Sequence, residues 1–143
     1  MLPIFNETET NTLIKLLQKE NKERKQTLKY YNFDGSIHRG KPASPNSHNL
    51  WEKTSSAFNK TKMTIEKLVR NKELTSLDYN VIITLLKKSI KKRKDMLSEY
   101  SYDGSYYKGE VTTENLKSFY ESLLNKTNYL QSILDKIPED YTF

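Results

Sequence analysis

A ten-residue motif decides the fold of this sequence, and it occurs twice, as "YNFDGSIHRG" at residues 31–40 and as "YSYDGSYYKG" at residues 100–109. The two copies lie 69 positions apart, and each follows a basic segment with helical periodicity. The similarity extends outward, because residues 13–41 match residues 82–110 at the same offset. An internal match of this length and order predicts a tandem duplication.

The match continues beyond the motif at a smaller offset of 66 residues. The change falls in "KPASPNSHN" (41–49), which is three residues longer than its counterpart, and the tripeptide Asn-Lys-Thr then recurs in both halves. A single length change in a Pro- and Ser-containing loop is expected when two copies diverge. We therefore expect two repeats, residues 1–71 and 72–143, in one shared fold with a short hinge at 71–76.

Apolar residues recur at spacings of three and four on both sides of each motif, which predicts helix–loop–helix in each half. The clearest stripe, in the second half, consists of Leu116, Tyr120, Leu123, Thr127, Leu130, Leu134 and Ile137. Four helices of about 20 residues, each with one apolar stripe, predict an all-α four-helix bundle.

Residues typical of helix starts precede the predicted helices. Asn6 with Glu9 and Thr75 with Asp78 have the spacing of a capping box. Ser44 before a proline suits the start of the second helix, and Thr112 or Thr113 suits the start of the fourth.

The Asp-Gly pair in each motif predicts a type I′ turn, because glycine accepts positive φ and aspartate tolerates it. One interpretation is purely structural, with Phe33, Tyr102 and the other flanking aromatics covering the end of the core. The alternative is that the loops are twin binding surfaces, since aromatics beside basic residues suit recognition of proteins and stacking on bases. The candidate residues for binding are Tyr31, Asp34, Ser36, Tyr100, Asp103, Ser105, Tyr106 and Tyr107.

Two matched arginines, Arg24 and Arg93, fall on the apolar stripes and are the other candidates for ligand or partner binding. A guanidinium that faces a core is costly unless it is paired. Each side chain is expected to extend to solvent, to pair with a buried acid such as Glu66, Glu121 or a loop aspartate, or to bind an external anion such as a nucleotide phosphate.

A basic run, "KKSIKKRKD" (87–95), has six positive residues, and its counterpart "QKENKERKQ" (18–26) keeps four. A solvated helix face is the simplest interpretation. The alternative is contact with a nucleic-acid backbone. The residues for that role are Lys88, Lys91, Lys92, Arg93 and Lys94.

Several classes of site are not indicated. The chain has no cysteine, and we find no Gly-rich phosphate loop, no nucleophile–base motif and no pair of acids at metal-ligand spacing. The single acid of each Asp-Gly loop does not fit a calcium loop. His38 and His48 lack matched histidines and are expected to be surface residues. We therefore expect no enzymatic activity, no cofactor and no metal.

The N-terminal segment lacks the features of a signal peptide, and no apolar run approaches the length of a membrane span. These observations predict a cytoplasmic protein without a membrane partner.

The function that these patterns favour is that of a non-enzymatic interaction module. It would bind a macromolecular partner, a protein in preference to a nucleic acid, through the matched loops and basic helix surfaces. A phage- or mobile-element-encoded inhibitor or regulator would act in this way. The alternatives are a nucleic-acid-binding protein that uses residues 87–94 and a binder of a small anionic ligand.

Overall fold

The computed structural model describes residues 4–138, which are mostly helical. Within that range the elements are α1 (Glu7–Leu28), β1 (Ile37–His38), β2 (Lys41–Pro42), α2 (Pro45–Val69), α3 (Ser76–Leu97), β3 (Tyr106–Tyr107), β4 (Glu110–Val111) and α4 (Glu114–Asp135). The prediction of a mostly helical chain with four helices is confirmed for the described part of the chain.

The chain divides into two compact units, residues 1–82 and 83–143, and the division falls inside α3. The repeat limits expected from the sequence, 1–71 and 72–143, remain a prediction.

The helices begin at the residues that the sequence indicates. The Asn6 side chain accepts a hydrogen bond of 2.8 Å from the Glu9 amide, and Glu9 accepts one of 2.9 Å from the Asn6 amide, so the predicted capping box is present. Asp78 in turn accepts a bond of 2.8 Å from the Thr75 amide. Ser44 caps α2 and Thr113 caps α4. Local chemistry therefore fixes where each helix starts.

In the first unit, α1 packs against α2. The buried residues of α1 include Leu13 and Leu17, followed one turn later by a buried polar residue, Asn21. The buried positions of α2 are Thr61, Thr64 and Leu68. Two threonines and an asparagine thus occupy positions where helices usually place large apolar side chains.

The second unit buries a more apolar set of side chains. Asn21 corresponds to Ile90 at the 69-residue offset, and Thr64 corresponds to Leu130 at the 66-residue offset. The buried residues of this unit are Ile83, Leu85, Leu86, Ile90, Tyr100, Tyr120, Leu123, Thr127, Leu130, Ile133 and Ile137.

Each motif folds into a small antiparallel hairpin, with His38 opposite Lys41 and Tyr107 opposite Glu110. The connecting residues are Arg39 and Gly40, with φ of 52° and 80°, and in the second unit Lys108 and Gly109, with 51° and 83°. Positive φ at both central residues is what a type I′ turn requires.

The predicted position of the type I′ turn, at the Asp-Gly pairs, is therefore wrong. In the first motif Gly35 has positive φ (72°) and Asp34 does not. The reason is that the Asp34 carboxylate binds the Ser36 amide and hydroxyl, an Asx-type arrangement that uses the aspartate in a different turn. The second motif repeats this arrangement, with Gly104 at 76°.

Candidate interaction loops

Two loops, defined as loop one (residues 29–43) and loop two (residues 98–112), contain the motifs and have the same backbone hydrogen bonds. The Gly35 amide donates to the Asn32 carbonyl at 3.2 Å, and the Asn32 amide donates to the Ile37 carbonyl at 3.1 Å. In loop two the same pair of bonds joins Ser101 to Gly104 and to Tyr106, both at 2.9 Å. The backbone of each loop is thus bonded within itself before any side chain is considered.

The predicted site residues Asp34, Ser36, Asp103 and Ser105 are brought together in pairs. Asp34 Oδ1 accepts bonds of 3.0 Å and 2.6 Å from the Ser36 amide and hydroxyl. Asp103 Oδ1 accepts the equivalent bonds from Ser105, also 3.0 Å and 2.6 Å, and a third from the Ser101 hydroxyl at 2.9 Å. The hydrogen bonds of these donors lie within each loop, so the four residues stabilise the conformations of the two loops.

The same hydrogen bonds keep both aspartates ionised. The Ser36 side chain and amide lower the pKa of Asp34. The Ser105 side chain and amide, with help from Ser101, lower the pKa of Asp103 to about 2. Each of these two carboxylates is therefore negatively charged at neutral pH.

Each Asp-Gly pair rests on an aromatic ring of the helix that follows. A Cβ atom added to Gly35 would lie 2.3 Å from Trp51 Cδ2, and one added to Gly104 would lie 2.4 Å from Tyr120 Cδ2. The two rings do not occupy matched positions. At the 66-residue offset Tyr120 corresponds to Thr54, which lies about one helical turn after Trp51. The sequence alignment could not reveal this contact, although Trp51 is the single tryptophan.

A side chain also anchors the carbonyl of each glycine. In loop one, His48 Nδ1 lies 3.1 Å from the Gly35 oxygen, and its Nε2 lies 3.0 Å from Glu52 Oε1. The bond to Gly35 and the charge of Glu52 raise the pKa of His48. In loop two, the Thr112 hydroxyl donates to the Gly104 oxygen at 2.9 Å. His48, predicted as an ordinary surface histidine, thus has a structural role.

The predicted tyrosines differ in what they can do. The Tyr31 hydroxyl donates to the Ser47 carbonyl at 2.9 Å, and its ring stacks on His38. Tyr100 is buried, which raises its pKa, and it packs against Tyr107 and Tyr120. These rings hold the loops onto their own units. Among the predicted tyrosines, Tyr106 has the most exposed side chain, at 50 %.

The outermost side chains are Phe33 and Tyr102, which occupy the same motif position and are 92 % and 96 % exposed. The interpretation in which the flanking aromatics cover the end of the core is therefore wrong for these two residues, although Tyr100 of the same set is buried. The internal hydrogen bonds of each loop place this residue at the tip of a turn and leave its ring in solvent. Exposed apolar neighbours extend the surfaces, namely Ile37 in loop one, and Tyr106 and Val111 in loop two.

Arg24 lies in a polar cluster of the first unit. Its Nη1 donates to Asn21 Oδ1 at 2.9 Å and to Thr61 Oγ1 at 3.0 Å, and its Nη2 lies 3.7 Å from Glu20 Oε1. The acid beside Arg24 is therefore Glu20 of the same helix, and the predicted partner Glu66 is exposed. The two hydrogen bonds from Nη1 hold the guanidinium against its own unit.

Arg93 is half-buried and donates to the carbonyl of Ser89, one turn earlier in α3, at 3.3 Å. Its predicted acidic partner Glu121 is exposed. Around Arg93 the lysines of the basic run are all exposed, namely Lys87, Lys88, Lys91, Lys92 and Lys94. The basic run thus presents its charges to solvent.

A buried carboxylate, that of Asp78, lies at the start of α3. The sequence predicted Asp78 only as part of a capping box. Asp78 is 4 % exposed and accepts bonds of 2.6 Å from Lys67 and 2.7 Å from the Thr64 hydroxyl. Burial raises the pKa of Asp78, but the bonds from Lys67, Thr75 and Thr64 outweigh it and hold the pKa below its usual value. Lys67, Thr64 and Thr75 all bond to the Asp78 carboxylate, as expected for a structural ion pair.

Comparison of the chain with protein family models, curated proteins and solved structures found no match. Among residues 4–138, no group of three or more histidines and acids is arranged to hold a metal ion. Of the helices described above, none is both long and apolar enough to cross a membrane.

Proposed function

We propose that this protein is a non-enzymatic interaction module that binds a macromolecular partner through its two matched loops and its basic helix surfaces. The observation that carries the proposal is the exposure of Phe33 and Tyr102 at the same position of both loops, 92 % and 96 %. Large aromatic side chains supply much of the binding energy at protein interfaces. An aromatic ring that contributes nothing to its own core, present in both repeats, is best explained by a contact with another molecule.

The rigidity of the loops supports the proposal. Each tip is fixed by bonds within the loop, by the Asp–Ser pair and by the ring under its glycine. A loop backbone that is already held in place loses less conformational entropy on binding than a flexible one. The arrangement therefore favours binding by a preformed surface.

A tandem duplication is the origin that we propose for the two loops. The matched Asp–Ser bonds, the matched φ values at four glycines and the matched hairpin registers support a common ancestor for the halves. Assembly of the two repeats into one four-helix bundle belongs to the same proposal.

A protein is favoured over a nucleic acid as the partner of the loops. Asp34 and Asp103 directly follow the exposed rings, and their lowered pKa values keep them charged. A phosphate backbone that approached the Tyr102 ring would meet the carboxylates of Asp103, Glu99 and Glu110 in the same loop and be repelled. A cytoplasmic inhibitor or regulator encoded by a phage or mobile element is the type of protein to which such loops are suited.

Nucleic-acid binding is the second candidate, and the exposed lysines of residues 87–94 favour it. Replacing Lys91, Lys92, Arg93 and Lys94 with glutamine should weaken binding of all sequences equally and flatten the salt dependence. Titration of a labelled single strand and a duplex at low salt checks this. An unchanged salt slope, or no binding by the wild type, would exclude the candidate.

The proposed function is tested by immobilising the protein and capturing proteins from a lysate of the host cell. We expect Phe33→Ser and Tyr102→Ser to reduce the captured partner, because each removes one exposed ring without touching the core. Leu77→Ser is the matched control, since Leu77 is also exposed, at 68 %, but lies outside the loops. Equal capture by all three variants and the wild type would refute a role for the loops.

A further inference from the structure

The two loops have kept the same tips but carry opposite charge. Loop one contains three basic residues and one acidic residue, a net charge of +2, and loop two contains one basic and three acidic residues, a net charge of −2. All eight side chains are exposed. These residues are Lys29, Asp34, Arg39 and Lys41 in loop one, and Glu99, Asp103, Lys108 and Glu110 in loop two.

The reversal arises at matched positions around an unchanged frame. Lys41 corresponds to Glu110, and both occupy the same place in their hairpins, opposite His38 and Tyr107. Tyr30 corresponds to Glu99. In loop one the Arg39 guanidinium lies 4.2 Å from the centre of the Tyr30 ring. Arg39 corresponds to Lys108, so both loops keep a basic residue at this position, and loop two has a carboxylate where loop one has the Tyr30 ring.

We propose that loop one of one molecule binds loop two of a second copy of this chain. The inference rests on the proposed function, because it requires the loops to be interaction surfaces, and it names the partner. Phe33 and Ile37 would meet Tyr102, Tyr106 and Val111, and the charges around these apolar centres would attract. Pairing of a loop with its own kind is disfavoured, because like charges would then face each other.

The geometry of such a contact is head-to-tail, because the two surfaces that meet are different. Heterologous contacts extend into open chains or close into rings. Each molecule keeps one unused loop after the first contact, so assemblies larger than a dimer should appear as concentration rises. Each contact joins two 15-residue loops, fewer than the roughly 20–30 residues a side of a typical stable interface. We therefore expect the association to be weak and reversible.

Sedimentation velocity of the full chain over a range of concentrations provides the first test. At about 20 mM NaCl the average mass should rise with concentration beyond that of a dimer, and at about 500 mM NaCl it should fall towards the monomer, because the screening length shortens. Glu110→Lys should also weaken the association. A wild-type protein that stays monomeric at low salt and high concentration would overturn the inference.

Two single variants distinguish head-to-tail pairing from other contacts. Phe33→Ser keeps only loop two intact, and Tyr102→Ser keeps only loop one intact. Each variant alone should therefore stay monomeric at concentrations where the wild type associates, because its association constant is reduced at least about tenfold relative to the wild type. An equal mixture of the two should form a dimer and nothing larger. Leu77→Ser should assemble like the wild type.

The outcomes separate this inference from the proposed function. If Tyr102→Ser alone dimerises, loop one pairs with itself and the inference is wrong. If the wild type is monomeric but lysate capture depends on Phe33 and Tyr102, the loops bind a different protein. The self-association is then refuted while the proposed function stands.

Discussion

Gly35 provides the sharpest test of how the loops are held. Replacing it with alanine places a residue with a Cβ at φ +72°, which costs about 1–2 kcal/mol for a non-glycine residue. The new Cβ would also lie 2.3 Å from Trp51 Cδ2, and relieving such overpacking typically costs a further 1–3 kcal/mol or so. We therefore expect Gly35→Ala to lower the free energy of unfolding of the first unit by about 2–5 kcal/mol.

The chain contains its own control for the strain alone. Gly40 has a similar φ of +80° but no atom within 4 Å of an added Cβ, so Gly40→Ala should cost only about 1–2 kcal/mol. Chemical unfolding followed by tryptophan fluorescence measures both variants, because Trp51 is the only tryptophan and lies in the affected unit. Equal losses for Gly35→Ala and Gly40→Ala would refute the contact between the loop and the ring.

A double-mutant cycle isolates the contact. Circular dichroism replaces fluorescence here as the readout, because Trp51→Ala removes the reporter. If the clash is real, Gly35→Ala should cost less in the Trp51→Ala background than in the wild type, with a coupling of about 0.5–3 kcal/mol. Additive losses would show that the ring does not limit the space at Gly35.

Three further perturbations test the polar contacts. Arg24→Met should destabilise the first unit by about 1 kcal/mol, because two neighbouring acceptors lose their hydrogen-bond partner. Arg93→Met should cost less, since Arg93 donates a long bond of 3.3 Å to a carbonyl of its own helix. Equal losses of the two variants in urea unfolding would contradict this. The pKa of Asp78 is lowered in the folded state, so its contribution to stability is present at neutral pH and is lost as pH falls below about 4. Asp78→Asn should remove that part of the acid dependence of stability. An unchanged dependence of stability on pH in this variant would contradict the prediction. The pKa of His48 is raised in the folded state, so its contribution to stability is full below about pH 6.5 and declines as pH rises through the folded pKa. An NMR titration of the imidazole and the loss of this pH dependence in His48→Gln check the prediction. A folded pKa at or below that of a free histidine would contradict it.

The features that the sequence predicted are those determined by local chemistry. Asn6 and Glu9 form their capping box because both partners lie within one turn of chain. The turn at Asp34-Gly35 was assigned to the wrong type because a hydrogen bond to Ser36 competes with the statistical preference of the dipeptide.

Contacts between distant residues were the ones that could not be predicted. Trp51 and Tyr120 support equivalent loops from positions that do not align. Comparing the sequences of the two halves therefore does not show that the two rings have the same role. Likewise the exposure of Phe33 follows from the path of the loop backbone, since the composition of the motif alone suggested a ring that covers the core. The sequence placed Arg24 and Arg93 on the apolar stripes without indicating their burial, and the structure shows that both are half-buried. The acid beside Arg24 is its helical neighbour Glu20.

Each loop is anchored by the helix that directly follows it. Loop one rests on Trp51 and His48 of α2, and loop two rests on Tyr120 of α4. A substitution in one loop therefore leaves the anchor of the other unaltered, and selection can act on the two surfaces separately. Under the duplication proposed above, this independence allows the charge of the loops to diverge to opposite sign while their backbones stay alike. It also makes each loop a transplantable unit, so that a chain with two copies of one loop can be built by exchanging residues 29–43 or 98–112 together with the anchoring side chains.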